Sequence, residues 1–277
     1  MIDSGNDRGN SVKDLAATVE SVEQLALVWR EVALDRTPRA DVRDLPGIAV
    51  RWAGSGFVFW NVVTLTEPRL GEELLKQRLH EAADVLRAGK GPGLLWLFTD
   101  LLDERALAAL DSTAEEAGLQ FAFGGTGMAG DLLPLPEPTH PDLTFVRVST
   151  EDHLRAYADL NADAYDMPRE VVREGLTGSK LFTEKIHAYL ALRSGEPVAC
   201  AGAIEADGRL FLILVATRPG HQRHGYGEAV SRKALYEGAQ ATGLRRATLH
   251  ATEAGAPVYT RIGFEPISPI RFYGLAD

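Results

Sequence analysis

The chain has 277 residues, 45% of them hydrophobic and 25% charged, with a formal net charge of -10 at pH 7. This composition supplies an ordinary globular core for one large domain or two, and the acidic balance argues against a nucleic-acid-binding protein, which needs a basic face. A single cysteine excludes an internal disulfide and a cysteine-based metal cluster.

Residues 1–13 are polar and read as a frayed end, without the apolar stretch of a secretory leader. No apolar run nears membrane-spanning length, so the cytoplasm is the expected location, without membrane or nucleic-acid partners. Apolar spacing predicts a helix from about Thr18 to Leu34. "TPRADVRDLPG" reads as a loop, and "GIAVRWAGSGFVFWNVVTL" as two strands turning at Ala53–Gly56, its aromatic residues assigned to the sheet core. "RLGEELLKQRLHEAADVLRAG" is a helix with a glycine stop, "GPGLLWLFTD" a buried strand, "DERALAALDSTAEEAG" a helix closed by Gly118, and "LQFAFGG" a strand.

A literal G-x-G-x-x-G follows, from Gly125 to Gly130. A dinucleotide site needs that motif between a strand and a helix, because the helix start holds the pyrophosphate. Here it leads into "DLLPLPEPTHPD", which is too rich in proline to be a helix, so the glycines read as a flexible loop or bulge. The proline-rich stretch is the best linker, and it divides the chain into domains at 14–131 and 142–277 with a linker at 132–141.

The second half reads β-α-α-β-β-β-α-β-α-β, and the first half has a similar order. "LTFVRVS" is a strand, "TEDHLRAYADLNADAY" a helix capped by Ser149 or Thr150, and "MPREVVREGL" a short helix. "IHAYLALRSGEPVACAGAIEADGRLFLILVAT" folds into three strands, with Cys200 expected as a buried structural thiol. Next comes "RPGHQRHGYGEAV", where glycines and basic residues sit between a strand and a helix. The first turn of a helix has unpaired N–H groups and a positive dipole end, and glycine lets a pyrophosphate approach that backbone. "RRATLHAT" is a strand, "GAPVYTRIG" a short helix and "FEPISPIRFYG" a last strand.

"LVATRPGHQRHGYGEAV" resembles motif A of the GCN5-related N-acetyltransferases, the GNAT superfamily. "ATEAGAPVYTRIGF" resembles the family's motif B, with Tyr259, Gly263 and Phe264 at its Tyr-x-x-x-Gly-Phe end. The resemblance covers about Asp142 to Tyr273, and the first half looks like a degenerate copy without motif A. It implies an α/β protein of two GNAT-like mixed-sheet domains in tandem, each with a central twisted sheet flanked by helices. It further implies transfer of an acetyl group from acetyl-CoA to a small-molecule amine by direct attack. In the family the backbone at Val215, Ala216 and Thr217 pairs with the pantetheine arm. Gln222, Arg223, His224, Gly225, Tyr226, Gly227 and Glu228 cradle the pyrophosphate, with Glu228 expected as the first helical residue. Tyr259 matches the family's general acid, since a phenol with an ordinary pKa near 10 can protonate a leaving thiolate.

The strand before motif A has no carboxylate to act as general base. His250 is the first candidate, Glu205 and His187 are others, and release of the amine proton to water is the remaining route. Thr252 stands where the family has asparagine at the start of motif B. Asp163, Tyr165, Asp166 and Met167 fall where relatives contact the acceptor. The seven histidines have no metal-ligand spacing, so no metal is expected. A non-catalytic acyl-CoA-binding sensor, a mycothiol-synthase-like tandem acetyltransferase and a nicotinamide-dependent oxidoreductase are the competing readings, and a homodimer is left open.

Overall fold

A computed structural model describes residues 7–131 and 136–276, with side chains of the first helix described from Leu15 onward. Residues 132–135 of the expected linker lie outside the described residues, and 136–140 carry neither helix nor strand. The first half runs α1 (Asp7–Arg36), β1 (Asp41–Leu45), β2 (Ile48–Trp52), β3 (Asn61–Leu65), α2 (Glu72–Ala88), β4 (Leu94–Phe98), α3 (Glu104–Glu116) and β5 (Leu119–Asp131). The second runs β6 (Thr144–Arg147), α4 (Glu151–Ala164), α5 (Arg169–Leu176), β7 (His187–Arg193), β8 (Glu196–Ala206), β9 (Arg209–Thr217), α6 (Tyr226–Thr242), β10 (Arg246–Thr252), α7 (Ala256–Ile262) and β11 (Glu265–Leu275).

All these strands form one 11-stranded mixed sheet, ordered β1-β2-β3-β4-β11-β5-β10-β9-β8-β7-β6. The last strand of each half sits among strands of the other. β11 pairs with β4 and β5, while β5 pairs with β10 and β11. Neither half therefore leaves an unpaired inner edge, which would invite association. The outer strand β1, read from sequence as loop, is a short charged strand with mostly exposed side chains. A polar edge strand lacks the apolar alternation that marks a buried one.

Gly125, Gly127 and Gly130 are not in a flexible loop. They lie inside β5, and Thr126 to Asp131 stay in register with β10. A Cβ on Gly125 would come within 2.8 Å of the Ala251 carbonyl oxygen, and one on Gly130 within 2.5 Å of the Gly263 carbonyl oxygen. Glycine is used here because neighbouring backbone approaches too closely for any side chain. Gly130→Ala is expected to destabilise the fold by about 1–3 kcal/mol, since backbone and not a flexible side chain must yield. Chemical unfolding of the two proteins measures the difference.

Helix α1 binds the halves together. Trp29 meets Trp60, Trp96 and Phe211 edge to face, and its indole N–H donates to the Phe59 carbonyl at 2.6 Å. Gln24 donates to the Ala206 carbonyl at 2.8 Å, and Asp35 accepts from the Ser179 hydroxyl at 2.6 Å. Glu20 pairs with Arg209 at 2.6 Å and Arg246 at 2.8 Å. Burial opposes ionisation of Glu20, but hydrogen bonds from Arg246 and Arg209 outweigh it and lower its pKa. A carboxyl lowered on folding stabilises above its unfolded pKa, near 4.3, and that contribution fades as pH falls through the folded value. Glu20→Gln is accordingly expected to lower Tm at pH 7, with the gap from the parent closing below about pH 4. Melting curves between pH 3 and 7 check this.

On the opposite face of the sheet, α6 and α7 cover β9 and β10. Leu210, Leu212, Leu249 and Ala251 point to this side with Val230, Tyr259 and Phe264. Phe211 and Ile213 point to the α1 side. This alternation follows from the two-residue repeat of a strand.

Candidate active site

The parallel strands β9 and β10 separate partway along. Their pairing covers Leu210, Phe211 and Leu212 against Ala247, Thr248 and Leu249, yet both strands continue beyond it. On its other side β9 carries a register irregularity against β8 after Ile213, and Leu214 there has φ +48°. A leucine in the left-handed region is strained and is held by its surroundings. The buried Tyr157 hydroxyl donates to the Leu214 carbonyl at 2.9 Å and the Tyr165 hydroxyl to that of Val215 at 3.2 Å. A cleft of about 580 Å³ opens where the strands part, and Val215, Ala216, Thr217 and Tyr259 are in its wall.

The start of α6 closes the other end of this cleft. Gly220, Arg223 and Gly225 have φ of +85°, +63° and +78°, so the loop curls and the helix starts at Tyr226, two residues before Glu228. The first intrahelical bond is Ala229 N–H to the Gly225 carbonyl at 2.9 Å. The N–H groups of Tyr226, Gly227 and Glu228 precede it, which is the unpaired first turn that suits an anion. A Cβ on Gly227 would lie 2.8 Å from the Thr217 hydroxyl, so this glycine lets the helix seat on the end of β9.

Gln222, Arg223, Gly225, Tyr226, Gly227 and Glu228 line the cleft. His224 does not join that lining. Its ring stacks on Tyr226 at 5.4 Å, and its Nδ1 is 2.8 Å from the Gln222 carbonyl. The Glu228 carboxylate pairs with Arg232 at 3.0 Å and Arg261 at 2.8 Å. Burial opposes its ionisation, but hydrogen bonds from Arg261 and Arg232 outweigh that and hold its pKa down. Its charge is thereby neutralised beside the helix start.

Tyr259 is on α7, and the Y-x-x-x-G-F spacing has a local cause. The Tyr259 carbonyl accepts from the N–H groups of Gly263 and Phe264 at 3.2 and 3.0 Å. Gly263 is left-handed at φ +108°, which ends the helix and turns Phe264 inward to meet the tyrosine ring at 6.3 Å. Tyr259 is 8% exposed. Burial, then Tyr165 and Cys200, push its pKa well up, so it keeps its proton. Thr252 caps the turn before α7 by accepting from the Gly255 N–H at 3.2 Å.

A larger cavity of about 820 Å³ adjoins the cleft, and Tyr165, Leu212, Leu214, His250, Thr252 and Ala254 border both. Its far wall comes largely from the first half. Phe59, assigned to the core from sequence, lines it together with Val58, while Phe57 and Trp60 are buried as expected. Tyr165 and Met167 also line it. Asp163 is outside both linings, held by Arg169 at 2.8 Å, and Asp166 is outside them too.

His250 is placed differently from the base expected of it. The Phe211 and His250 rings are 5.1 Å apart, on the α1 side of the sheet, whereas Tyr259 packs on the α6 side. Trp96 and Phe98 approach the same ring at 5.6 and 5.3 Å, and the Ser21 hydroxyl meets Nε2 at 3.0 Å. Burial lowers its pKa to about 3, so the ring is neutral at pH 7 and would gain a proton only at high cost. His187 and Glu205 line a separate surface pocket with Lys185 and Asp207, away from the cleft. Cys200 is buried as expected, and burial pushes its thiol pKa up.

In the first half β3 and β4 form the equivalent parallel pair, with α2 between them in sequence. There the segment before α2 is tied to the segment after β4. Leu70 is fully buried and forms a bridge with Leu102, its N–H donating to the Leu101 carbonyl at 2.8 Å. Among the described residues no group of three or more His, Cys, Asp and Glu could hold a metal, and no helix is long and apolar enough to cross a membrane.

Residues 150–264 match the model of the acetyltransferase (GNAT) family. The chain therefore carries a GNAT domain over that segment. Solved structures of similar fold extend across both halves. A GCN5-related N-acetyltransferase from Kribbella flavida aligns over 91% of this chain and 95% of its own, with TM-score 0.66 and 18% identity. A GNAT-family acetyltransferase structure from Novosphingobium aromaticivorans aligns over 91% and 97%, with TM-score 0.55 and 13% identity. A tandem GNAT protein from the clavulanic acid biosynthesis pathway aligns over 93% and 94%, with TM-score 0.53 and 13% identity. At these identities the likeness is one of fold. No curated protein matches the sequence.

Proposed function

We propose that the protein is an N-acetyltransferase that moves an acetyl group from acetyl-CoA to a small-molecule amine. The observation that carries this reading is the cleft between the diverging strands β9 and β10, with the unpaired first turn of α6 at its end. An extended pantetheine arm fits along Val215–Thr217 as a further strand would. The pyrophosphate meets the N–H groups of Tyr226, Gly227 and Glu228, with Arg223 nearby. The residues at 142–277 supply the donor site, and the half at 14–131 is a degenerate copy, a reading supported by its lack of a glycine-rich loop before α2.

The amine nitrogen attacks the thioester carbonyl, the carbon–sulfur bond breaks, and the thiolate takes a proton from Tyr259. Solvent returns the proton to Tyr259 and accepts the surplus proton of the amine. His250 serves as a neutral wall and not as the base, because an imidazole with pKa near 3 cannot compete for an ammonium proton. Direct attack agrees with a lone cysteine that is buried and protonated. The test is thiol release from acetyl-CoA against a panel of primary amines. Amine-dependent release is expected, and binding of acetyl-CoA without release for any amine would favour a sensor.

A further inference from the structure

The larger cavity has walls that restrict what it can hold. They include rings from both halves, Trp29, Phe59, Trp96, Phe123, Phe211 and Phe272, with aliphatic side chains between them. Its volume of about 820 Å³ lies in the range of sites for small organic ligands. Among the described residues no lysine or arginine lines it, and the one carboxylate in its lining is that of Glu253. An anionic acceptor would find no countercharge, and a polyamine or aminosugar would bury polar groups against apolar rings.

Two polar atoms on rings of this wall lack a partner among the described residues. Trp96 Nε1 and His250 Nδ1 are buried without a hydrogen-bond partner among the described residues, on rings 5.6 Å apart. Buried polar groups are costly unless something meets them, and an indole N–H can only donate. Thr252 and Ala254, by contrast, border the donor cleft as well as the cavity. Glu253 lies between them, exposed and without an ion pair among the described residues.

We infer that this cavity is the acceptor site and takes a monoamine on an aromatic-sized apolar body, with one oxygen at the end away from the nitrogen. The nitrogen sits at the junction beside Glu253, where it reaches the thioester. The body fills the space between the rings, and the oxygen accepts from Trp96 Nε1 and meets His250 Nδ1. This assignment rests on the acetyl-transfer reading.

Tyramine, 2-phenylethylamine, spermidine and glucosamine are the probes, read by tryptophan fluorescence for binding and by thiol release for transfer. Acetyl-CoA binding is measured separately. Tyramine is expected to bind saturably and to be acetylated with kcat/KM at least about tenfold above spermidine and glucosamine. 2-Phenylethylamine, which lacks the oxygen, is expected to bind about fivefold more weakly, and Trp96→Phe should remove most of that difference. Phe123→Arg, at the partly exposed rim, should abolish tyramine binding and leave acetyl-CoA affinity unchanged. If acetyl-CoA binds and spermidine or glucosamine is the better acceptor, or tyramine does not bind, the inference fails and acetyl transfer stands. If tyramine binds and acetyl-CoA does not, the acetyl-transfer reading fails instead. Equal affinity for tyramine and 2-phenylethylamine would overturn the placement of the oxygen.

Discussion

Tyr259→Phe should lower kcat by about 100-fold to 10,000-fold with the best amine acceptor, while acetyl-CoA affinity stays within about twofold. The substitution removes only the hydroxyl. The ring still packs against Phe264, and the backbone cap at Gly263 is untouched. Burial keeps this phenol protonated at neutral pH, the form an acid must start from, and the same burial makes it a weaker acid. Tyr165→Phe is the matching control. The Tyr165 hydroxyl already donates to the Val215 carbonyl, and its pKa is raised to about 12, chiefly by burial. If Tyr165→Phe abolished turnover and Tyr259→Phe did not, the acid would have to be reassigned. Steady-state kinetics together with the acetyl-CoA Kd separate the two.

Gly225→Asp is expected to weaken acetyl-CoA binding by about 100-fold or more. The residue lines the cleft at the start of α6, and the nearest atom to an added Cβ is His140 Nε2 at 3.9 Å. Space is therefore available, and aspartate tolerates the left-handed backbone at φ +78° better than most residues. The added carboxylate would face the pyrophosphate. At about 5 Å and an effective dielectric near 20, like charges repel by roughly 3 kcal/mol, or about two decades in affinity. Calorimetry measures the loss, and an unchanged melting temperature shows that the fold survives. Full affinity in Gly225→Asp would move the pyrophosphate away from this loop.

The turns around the cleft between β9 and β10 were legible in the sequence because their signals are local. Gly220, Gly225 and Gly263 mark left-handed turns, and a strand before "RPGHQRHGYGEAV" with a helix after it gives those turns a meaning. The Tyr259 spacing is a helix ending, complete within six residues of chain. What escaped the sequence depends on partners far along the chain. The glycines of β5 look like loop residues until β10 and β11, more than a hundred residues later, are set against them. The ring of His250 is walled by Trp96 and Phe98 and bonded to Ser21, 229 positions away, so its burial had no local sign. Leu214 takes a backbone usually reserved for glycine and gives no hint of it. The exchange of last strands is equally silent, since β5 and β11 carry ordinary strand patterns whichever neighbour they take.

Titration of acetyl-CoA into the purified 277-residue chain by calorimetry tests the proposed donor site most directly. One molecule per chain with a micromolar Kd is the expected result, because a cleft lies between β9 and β10 at the glycine-rich start of α6, and the first half has no such glycine-rich loop in its sequence. Two molecules per chain would contradict the degenerate role of the first half. No binding by a folded protein would contradict the acyltransferase itself.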